Sequence, residues 1–127
     1  MNPAIPTSWG EVFDKMSILE IKVERLSSEA ARANASHELK LLREAARPVM
    51  SQQGLAALTA EIKQVNETLW KIEDDIREKE AAKDFGAKFV ELARAVYFTN
   101  DQRGRVKGKI NALLKSTIVE EKEYARY

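Results

Sequence analysis

The sequence predicts an all-α fold, an up-and-down bundle of four to five helices in a single domain. Apolar residues recur at alternating spacings of three and four over most of the chain, which is the period of one face of an α-helix. Only 5 Gly and 3 Pro interrupt the 127 residues, and no segment alternates apolar with polar residues as a half-buried strand does. With 44% apolar and 32% charged residues, the chain can bury a core without disulfides or metals.

Two helices are predicted after an extended N-terminal arm, residues 1–7, which holds two of the three prolines. Ser8 and Glu11 match the capping box S-x-x-E that starts a helix. The apolar stripe of this first helix consists of Val12, Met16, Leu19, Val23 and Leu26. The serine pair at 27–28 can cap a second helix, and Pro48 ends it because proline lacks the N–H for a helical hydrogen bond.

The strongest periodicity predicts a long third helix over about 55–82. Its apolar residues keep the a and d spacing of a coiled coil without interruption. This seam consists of Leu55, Leu58, Ile62, Val65, Leu69, Ile72 and Ile76. An unbroken seam favours packing along the whole helix, either inside the bundle or against a second copy of the chain.

A fourth helix is predicted after Asp84, but its apolar stripe is interrupted in VYFTNDQRGRVKGKIN, residues 96–111. Arg103 stands where the seam would run, and Gly104 and Gly108 each cost about 1 kcal/mol in a helix interior. The chain then ends in residues 120–127, which are predicted to be a solvated tail. Just before this tail, the apolar residues Ile118 and Val119 are able to dock on the bundle.

Two interpretations of the interrupted stretch remain open. In the first, the fourth helix ends near Phe98 and a fifth begins after Asn100 or Asp101, which are good caps. In the second, one continuous helix passes through, its glycines admit a close partner, and its polar side chains face Glu73 or Asn66 of the third helix. The members of that polar network would be Tyr97, Asn100, Asp101, Arg103 and Asn111.

Composition excludes several kinds of function. The chain has no Cys and a single His, so disulfides, thiolate chemistry and sites built from Cys or several His are excluded, and no metal or cofactor is expected. A formal net charge of +1 gives no general attraction to nucleic acid or anionic membranes. No segment approaches the roughly 18 apolar residues of a membrane span, and no signal peptide is evident. We therefore expect a cytoplasmic protein.

A row of polar and aromatic residues runs beside the seam of the long helix. It consists of Asn66, Trp70, Glu73 and Arg77. The row can line a cleft with an aromatic platform, a carboxylate and a cation. Alternatively, it is a boundary row in which Trp70 is buried against a neighbour and Glu73 pairs with Arg77. The candidates for a ligand site or a polar network are Asp14, Lys22, Arg25, Asn66, Trp70, Glu73, Arg94, Tyr97, Asn100, Asp101 and Arg103. No catalytic residue is assigned.

Four segments of the chain resemble an uncharacterised family of small bacterial proteins, catalogued only as a domain of unknown function. They are DKMSILEIKVERL (14–26), NETLWKIEDDIREKE (66–80), DFGAKFVELARAVYFTND (84–101) and VEEKEY (119–124). Gly104 departs from the alanine that is usual in that family after TND-x-R. The resemblance implies a link to surface-polysaccharide assembly, because relatives occur beside glycosyltransferase-type proteins. It assigns no catalytic residue.

Three functions are compatible with these patterns. The first is a non-catalytic accessory protein that binds another protein or forms a homodimer, and the unbroken heptads favour it. The second is a small helical enzyme or binder of an anionic metabolite such as a phosphosugar, sugar nucleotide or dicarboxylate. It requires two or more cations that converge in one pocket, drawn from Arg25, Arg94 and Arg103. The third, nucleic-acid binding through the basic residues at 103–109, lacks nearby aromatic stacking partners.

Overall fold

The computed structural model describes all 127 residues and consists of four α-helices without any strand. The helices are α1 (Trp9–Arg25), α2 (Glu29–Ala46), α3 (Leu55–Ala81) and α4 (Ala87–Leu113), with a short 3-10 turn at Arg47–Val49 between α2 and α3. The predicted all-α bundle is therefore confirmed. The long heptad-patterned helix is α3, which begins at the predicted residue and ends one residue short of the predicted boundary.

The predicted serine caps start α1 and α2. The Ser8 hydroxyl accepts a hydrogen bond from the backbone N–H of Glu11 at 3.2 Å, and the Ser28 hydroxyl accepts one from Ala31 at 3.2 Å. The capping box itself is incomplete, because the carboxylate of Glu11 binds Lys107 of α4 at 2.6 Å instead of returning to Ser8. A side chain expected to act locally therefore joins two helices.

Helix α1 lies at the centre of the bundle and packs against each of the other three α-helices. Helices α3 and α4 form an antiparallel hairpin, whereas α2 packs against α1 and not against α3 or α4. The core combines residues of all four helices: Phe13, Met16, Leu19, Ala35, Leu39, Ala46, Leu55, Ile62, Val65, Val106 and Ile110. This arrangement leaves an open groove between α2 and α3, with α1 beneath it.

Helix α4 runs without a break through the interrupted stretch, so the interpretation with a fifth helix is wrong. The reason lies in contacts between the helices. The carboxylate of Asp14 on α1 holds Arg103, and the side chain of Asn111 accepts a hydrogen bond from the backbone N–H of Gly10 at 2.6 Å. Polar residues at the seam positions of α4 thus find partners on α1, and the helix has no need to end.

The glycines of α4 do not admit a close helix, contrary to the second interpretation. A Cβ on Gly108 would have no neighbour within 4 Å, and one on Gly104 would meet only the end of the Lys122 side chain. The close approach occurs at Gly10 of α1, where a Cβ would lie 2.7 Å from the carbonyl oxygen of Lys107. The glycine that brings α1 and α4 together therefore lies outside the stretch that the sequence singled out.

After α4 the chain turns back and runs along the outer side of that helix. The Glu120 carboxylate lies 2.9 Å from the Lys107 ammonium, and the Tyr127 hydroxyl donates to Asp101. Ile118 and Val119, which were expected to dock, are 45% and 55% exposed. The prediction for these two residues is wrong because this side of α4 offers charged partners and no apolar pocket. The tail residues 120–127 are solvent-exposed but make specific contacts.

Candidate functional site

A buried polar network joins three helices at the centre of the molecule. Asp14 of α1 is only 3% exposed. Arg103 of α4 donates two hydrogen bonds to its carboxylate, from Nε at 2.8 Å and from Nη2 at 2.5 Å. The side-chain amide of Asn66 on α3 donates to Asp14 at 2.9 Å and to Ser17 at 2.7 Å. The network fixes how α1, α3 and α4 cross.

The members of this network satisfy one another's charges and hydrogen-bonding groups. The hydrogen bond to Asp14 raises the pKa of Arg103, while burial acts in the opposite direction. No buried side-chain nitrogen or oxygen in the protein lacks a hydrogen-bond partner. A buried charge is tolerated only when it is paired and hydrogen-bonded. The geometry therefore explains the polar residues at seam positions as structural elements of the fold.

A second polar cluster lies next to the first, between α1, α4 and the tail. Lys107 is 7% exposed, and its ammonium contacts Glu11 at 2.6 Å and Glu120 at 2.9 Å. Burial by itself lowers the pKa of Lys107, but the hydrogen bonds to these two carboxylates outweigh it and raise that pKa. The hydrogen bond from Lys107 lowers the pKa of Glu120 to about 2. The cluster anchors the tail to the helical body.

The predicted row on α3 lines a groove of about 470 Å³ where α1, α3 and α4 meet. The lining residues are Ile18, Ile21, Asn66, Leu69, Trp70, Glu73, Asp74, Arg77, Asn100 and Arg103. Five of the sequence candidates are thus brought together: Asn66, Trp70, Glu73, Asn100 and Arg103. Trp70 is half-buried, and its ring forms part of the wall.

Both cations of this groove are paired with carboxylates. Arg103 is held by Asp14, and Arg77 pairs with Glu73 at 3.2 Å. Asp74 adds one carboxylate that makes no ion pair. The anionic-metabolite hypothesis required two or more free cations in one pocket, and this groove offers none. The groove is therefore not suited to an anionic ligand.

The remaining sequence candidates lie outside this groove. Arg25 faces Glu67 at 3.9 Å, and Lys22 is half-buried on α1. Arg94 lies over the Phe98 ring, 5.7 Å from its centroid. Tyr97 packs against Phe98 and against Tyr127 of the tail, with ring centroids 4.9 Å and 5.3 Å apart, and Asp101 accepts the Tyr127 hydroxyl. The structure therefore places Arg94, Tyr97 and Asp101 near the tail-facing part of α4 and leaves Lys22 and Arg25 on α1.

An apolar surface lies on the end of the α3/α4 hairpin. No residue from Glu73 through Glu91 is buried. Four large apolar residues are exposed here, and we call them the hairpin surface: Phe85 (54%), Val90 (52%), Tyr97 (41%) and Phe98 (41%). Val90 and Tyr97 are seven residues apart and thus share one face of α4. Tyr127 of the tail packs on both Tyr97 and Phe98, whereas Phe85 and Val90 lie nearer the turn of the hairpin.

Sequence reasoning missed several residues of the polar clusters. Ser17 and Glu11 were not candidates for a network, and Lys107 was considered only as part of a basic stretch. A signal was present for Lys107, because Arg103, Lys107 and Asn111 are each four residues apart and lie on one face of α4. Polar residues that continue an apolar seam at helical spacing indicate a buried network.

Comparisons of the chain with protein-family models, with curated proteins and with solved structures gave no match. Two further observations concern kinds of site. No group of three or more His, Asp or Glu side chains is arranged to hold a metal ion. None of the helices combines the length and apolar character needed to cross a bilayer.

Proposed function

We propose that this protein is a non-catalytic helical interaction module that forms a homodimer through the hairpin surface. The observation that carries the proposal is the exposure of Phe85 and Val90 on a hairpin end where residues 73–91 include no buried position, with Tyr97 and Phe98 exposed further along α4. Two helices packed only on each other leave part of their apolar surface in water. Pairing two such hairpins makes a four-helix bundle and covers that surface.

The length of the free hairpin end determines the size of the dimer interface. On α4 the hairpin surface extends from the start of the helix at Ala87 to Phe98, about 18 Å. The core residues of both helices lie at the opposite end, towards Leu55 and Ile110. A stable interface buries about 1,600 Å² in total, so both helices of each hairpin end must take part. A twofold axis would bring α3 of one copy against α4 of the other. The acidic residues that predominate at 73–80 would then face basic side chains such as Lys88 and Arg94.

The mass of the purified protein in solution tests the proposal, measured by light scattering on a size-exclusion column over a wide concentration range. We expect twice the chain mass of 14.4 kDa for the wild type. Val90→Glu should give the monomer mass because it places a charge in the centre of the hairpin surface. Ile118→Glu is the matched control, since Ile118 is 45% exposed in the tail. A wild type that is monomeric throughout would contradict self-pairing, and dissociation by both variants would contradict pairing through the hairpin surface.

The cellular role included in this proposal is the one that the family resemblance implies, a part in assembling a bacterial surface polysaccharide. In the organism that encodes the protein, loss of the gene should then reduce the surface polysaccharide. The wild-type chain should restore it, and Val90→Glu should not. If both chains restore the polysaccharide, the role does not depend on the dimer. If the gene deletion leaves the polysaccharide unchanged, the proposed role is overturned.

A further inference from the structure

A large groove lies between α2 and α3, with α1 as its floor, and its lining includes Ser17 of the polar network. It has a volume of about 790 Å³ and exists because the backbones of α2 and α3 both pack on α1 but not closely on each other. Volumes of about 300–1,000 Å³ are typical of small-molecule sites. None of the residues of the hairpin surface lines it, so its use is independent of the proposed dimer.

Basic side chains predominate in this groove. Lys40, Arg43 and Arg47 project from one side of α2 and the following turn, and Lys63 projects from α3. Their spacing of three and four places the α2 residues on one face. Two carboxylates, Glu20 and Glu44, are also present. The groove thus contains twice as many cations as anions, in contrast to the groove beside Trp70.

Two of the cations are not neutralised. Arg43 and Lys63 share Glu20, at 3.7 Å and 3.4 Å, and Lys63 also contacts Glu24 at 2.9 Å. The hydrogen bond to Glu24 raises the pKa of Lys63 despite partial burial. Lys40 and Arg47 make no ion pair with any carboxylate of the chain, although Glu44 lies in the same groove. They remain available to an anion in solution.

The floor of the groove exposes little apolar surface. Phe13 and Met16 line it but are only 2% and 5% exposed, because they belong to the core. Met50 at the edge is 51% exposed and is the one large apolar side chain of the lining that a partner could cover. Ser36 and Thr59 add hydroxyl groups to the lining. A small molecule with an anionic group and a polar body therefore matches the lining better than an apolar helix does.

We infer that this groove binds a small phosphorylated metabolite, with Lys40 and Arg47 holding the phosphate. Arginine and lysine recognise phosphate through charge-assisted hydrogen bonds. The carboxylate of Glu20 and the hydroxyls of Ser36 and Thr59 are placed to bind hydroxyl groups on the body of the ligand. The site deepens the anionic-metabolite hypothesis, which the sequence had attached to other cations.

The test is an NMR titration of the labelled wild-type chain with glucose 6-phosphate at constant ionic strength, followed by inorganic phosphate in a separate sample. We expect saturable shifts of amides near Lys40, Arg47 and Thr59, with tighter binding of glucose 6-phosphate than of phosphate. The double variant Lys40→Gln/Arg47→Gln should weaken binding by at least about tenfold, because it removes both charge-assisted hydrogen bonds to the phosphate.

Arg105→Gln/Lys109→Gln is the matched control, because it removes the same charge from two exposed positions that lie outside both the groove and the hairpin surface. This control should bind glucose 6-phosphate as the wild type does. Equal weakening in both double variants would show general charge attraction and overturn the inference. The absence of saturable shifts with either probe would overturn it as well. Neither result depends on whether the protein is a dimer.

Discussion

At the scale of single residues, the decisive feature is a buried carboxylate, Asp14, which is satisfied by groups from two other helices. Its hydrogen bond with Arg103 connects residues 89 positions apart in the chain. Local sequence propensity cannot reveal a partner that lies so far away in the chain. Asn, Asp and Gly near Arg103 therefore indicated a helix end, although the helix continues.

We expect Arg103→Gln to lower the free energy of unfolding by about 3 kcal/mol, measured by urea denaturation. Removing one partner of a buried pair leaves the other charge uncompensated. Asp14→Asn/Arg103→Gln should be more stable than the sum of the two single effects predicts, because the double variant has no unpaired charge. Additive effects would show that the two side chains do not act as a pair.

The glycines of α1 and α4 form a natural pair for comparison. Gly10→Ala should destabilise the protein by about 1–3 kcal/mol, because its Cβ meets the Lys107 carbonyl oxygen at 2.7 Å and the Asn111 side chain at 2.9 Å. Gly108→Ala should stabilise it by about 1 kcal/mol, because alanine favours the helix and nothing lies within 4 Å. Thermal unfolding measures both changes. Equal shifts in the same direction would contradict the assigned helix contact.

At the scale of elements, α3 was predictable from sequence because the heptad spacing of its apolar residues indicates a helix regardless of which element it packs against. The serine caps of α1 and α2 were also predictable, since the side chain and the N–H that it accepts are three residues apart. The groove between α2 and α3 was not. It depends on how α2 and α3 pack relative to each other, and a local sequence pattern carries no information about that packing.

Both helices of the hairpin end with a lysine in the left-handed conformation, Lys83 at φ 51° and Lys115 at φ 56°. The backbone N–H of Asp84 donates to the Lys79 carbonyl, and that of Lys83 donates to Glu80, which is the Schellman pattern. Residues with a Cβ are disfavoured by about 1–2 kcal/mol in this conformation. We expect Lys83→Gly to raise the melting temperature. Ala82→Gly, at φ −81°, should not raise it.

At the scale of the whole molecule, the tail is held by charge. Glu120 has a pKa lowered to about 2 by Lys107, from an ordinary value of 4.5. Its contribution to stability is therefore fully present above pH 4.5 and is lost as the pH falls towards 2. The effect is small because Glu120 is largely exposed.

The tail contact should consequently depend on pH. The amide chemical shifts of the tail should move towards random-coil values in the wild type between about pH 4.5 and 2. Glu120→Gln should show such shifts already at neutral pH and change less on acidification. Glu121→Gln is the control, since Glu121 makes no ion pair with a side chain of this protein. Wild-type tail shifts that do not change over this pH range would contradict this account.

The start of α1 and the segment after α4 meet, because the backbone N–H of Trp9 donates to the Ser116 hydroxyl at 3.0 Å. The two ends of the helical body are therefore close together. A circular permutant that joins residue 116 to residue 9 and opens the chain at residues 51–54 should fold. It would bring Asp14 and Arg103 to a separation of about 20 residues plus the linker, and shorter loops lower contact order. Such a chain should fold faster than the natural one in stopped-flow refolding.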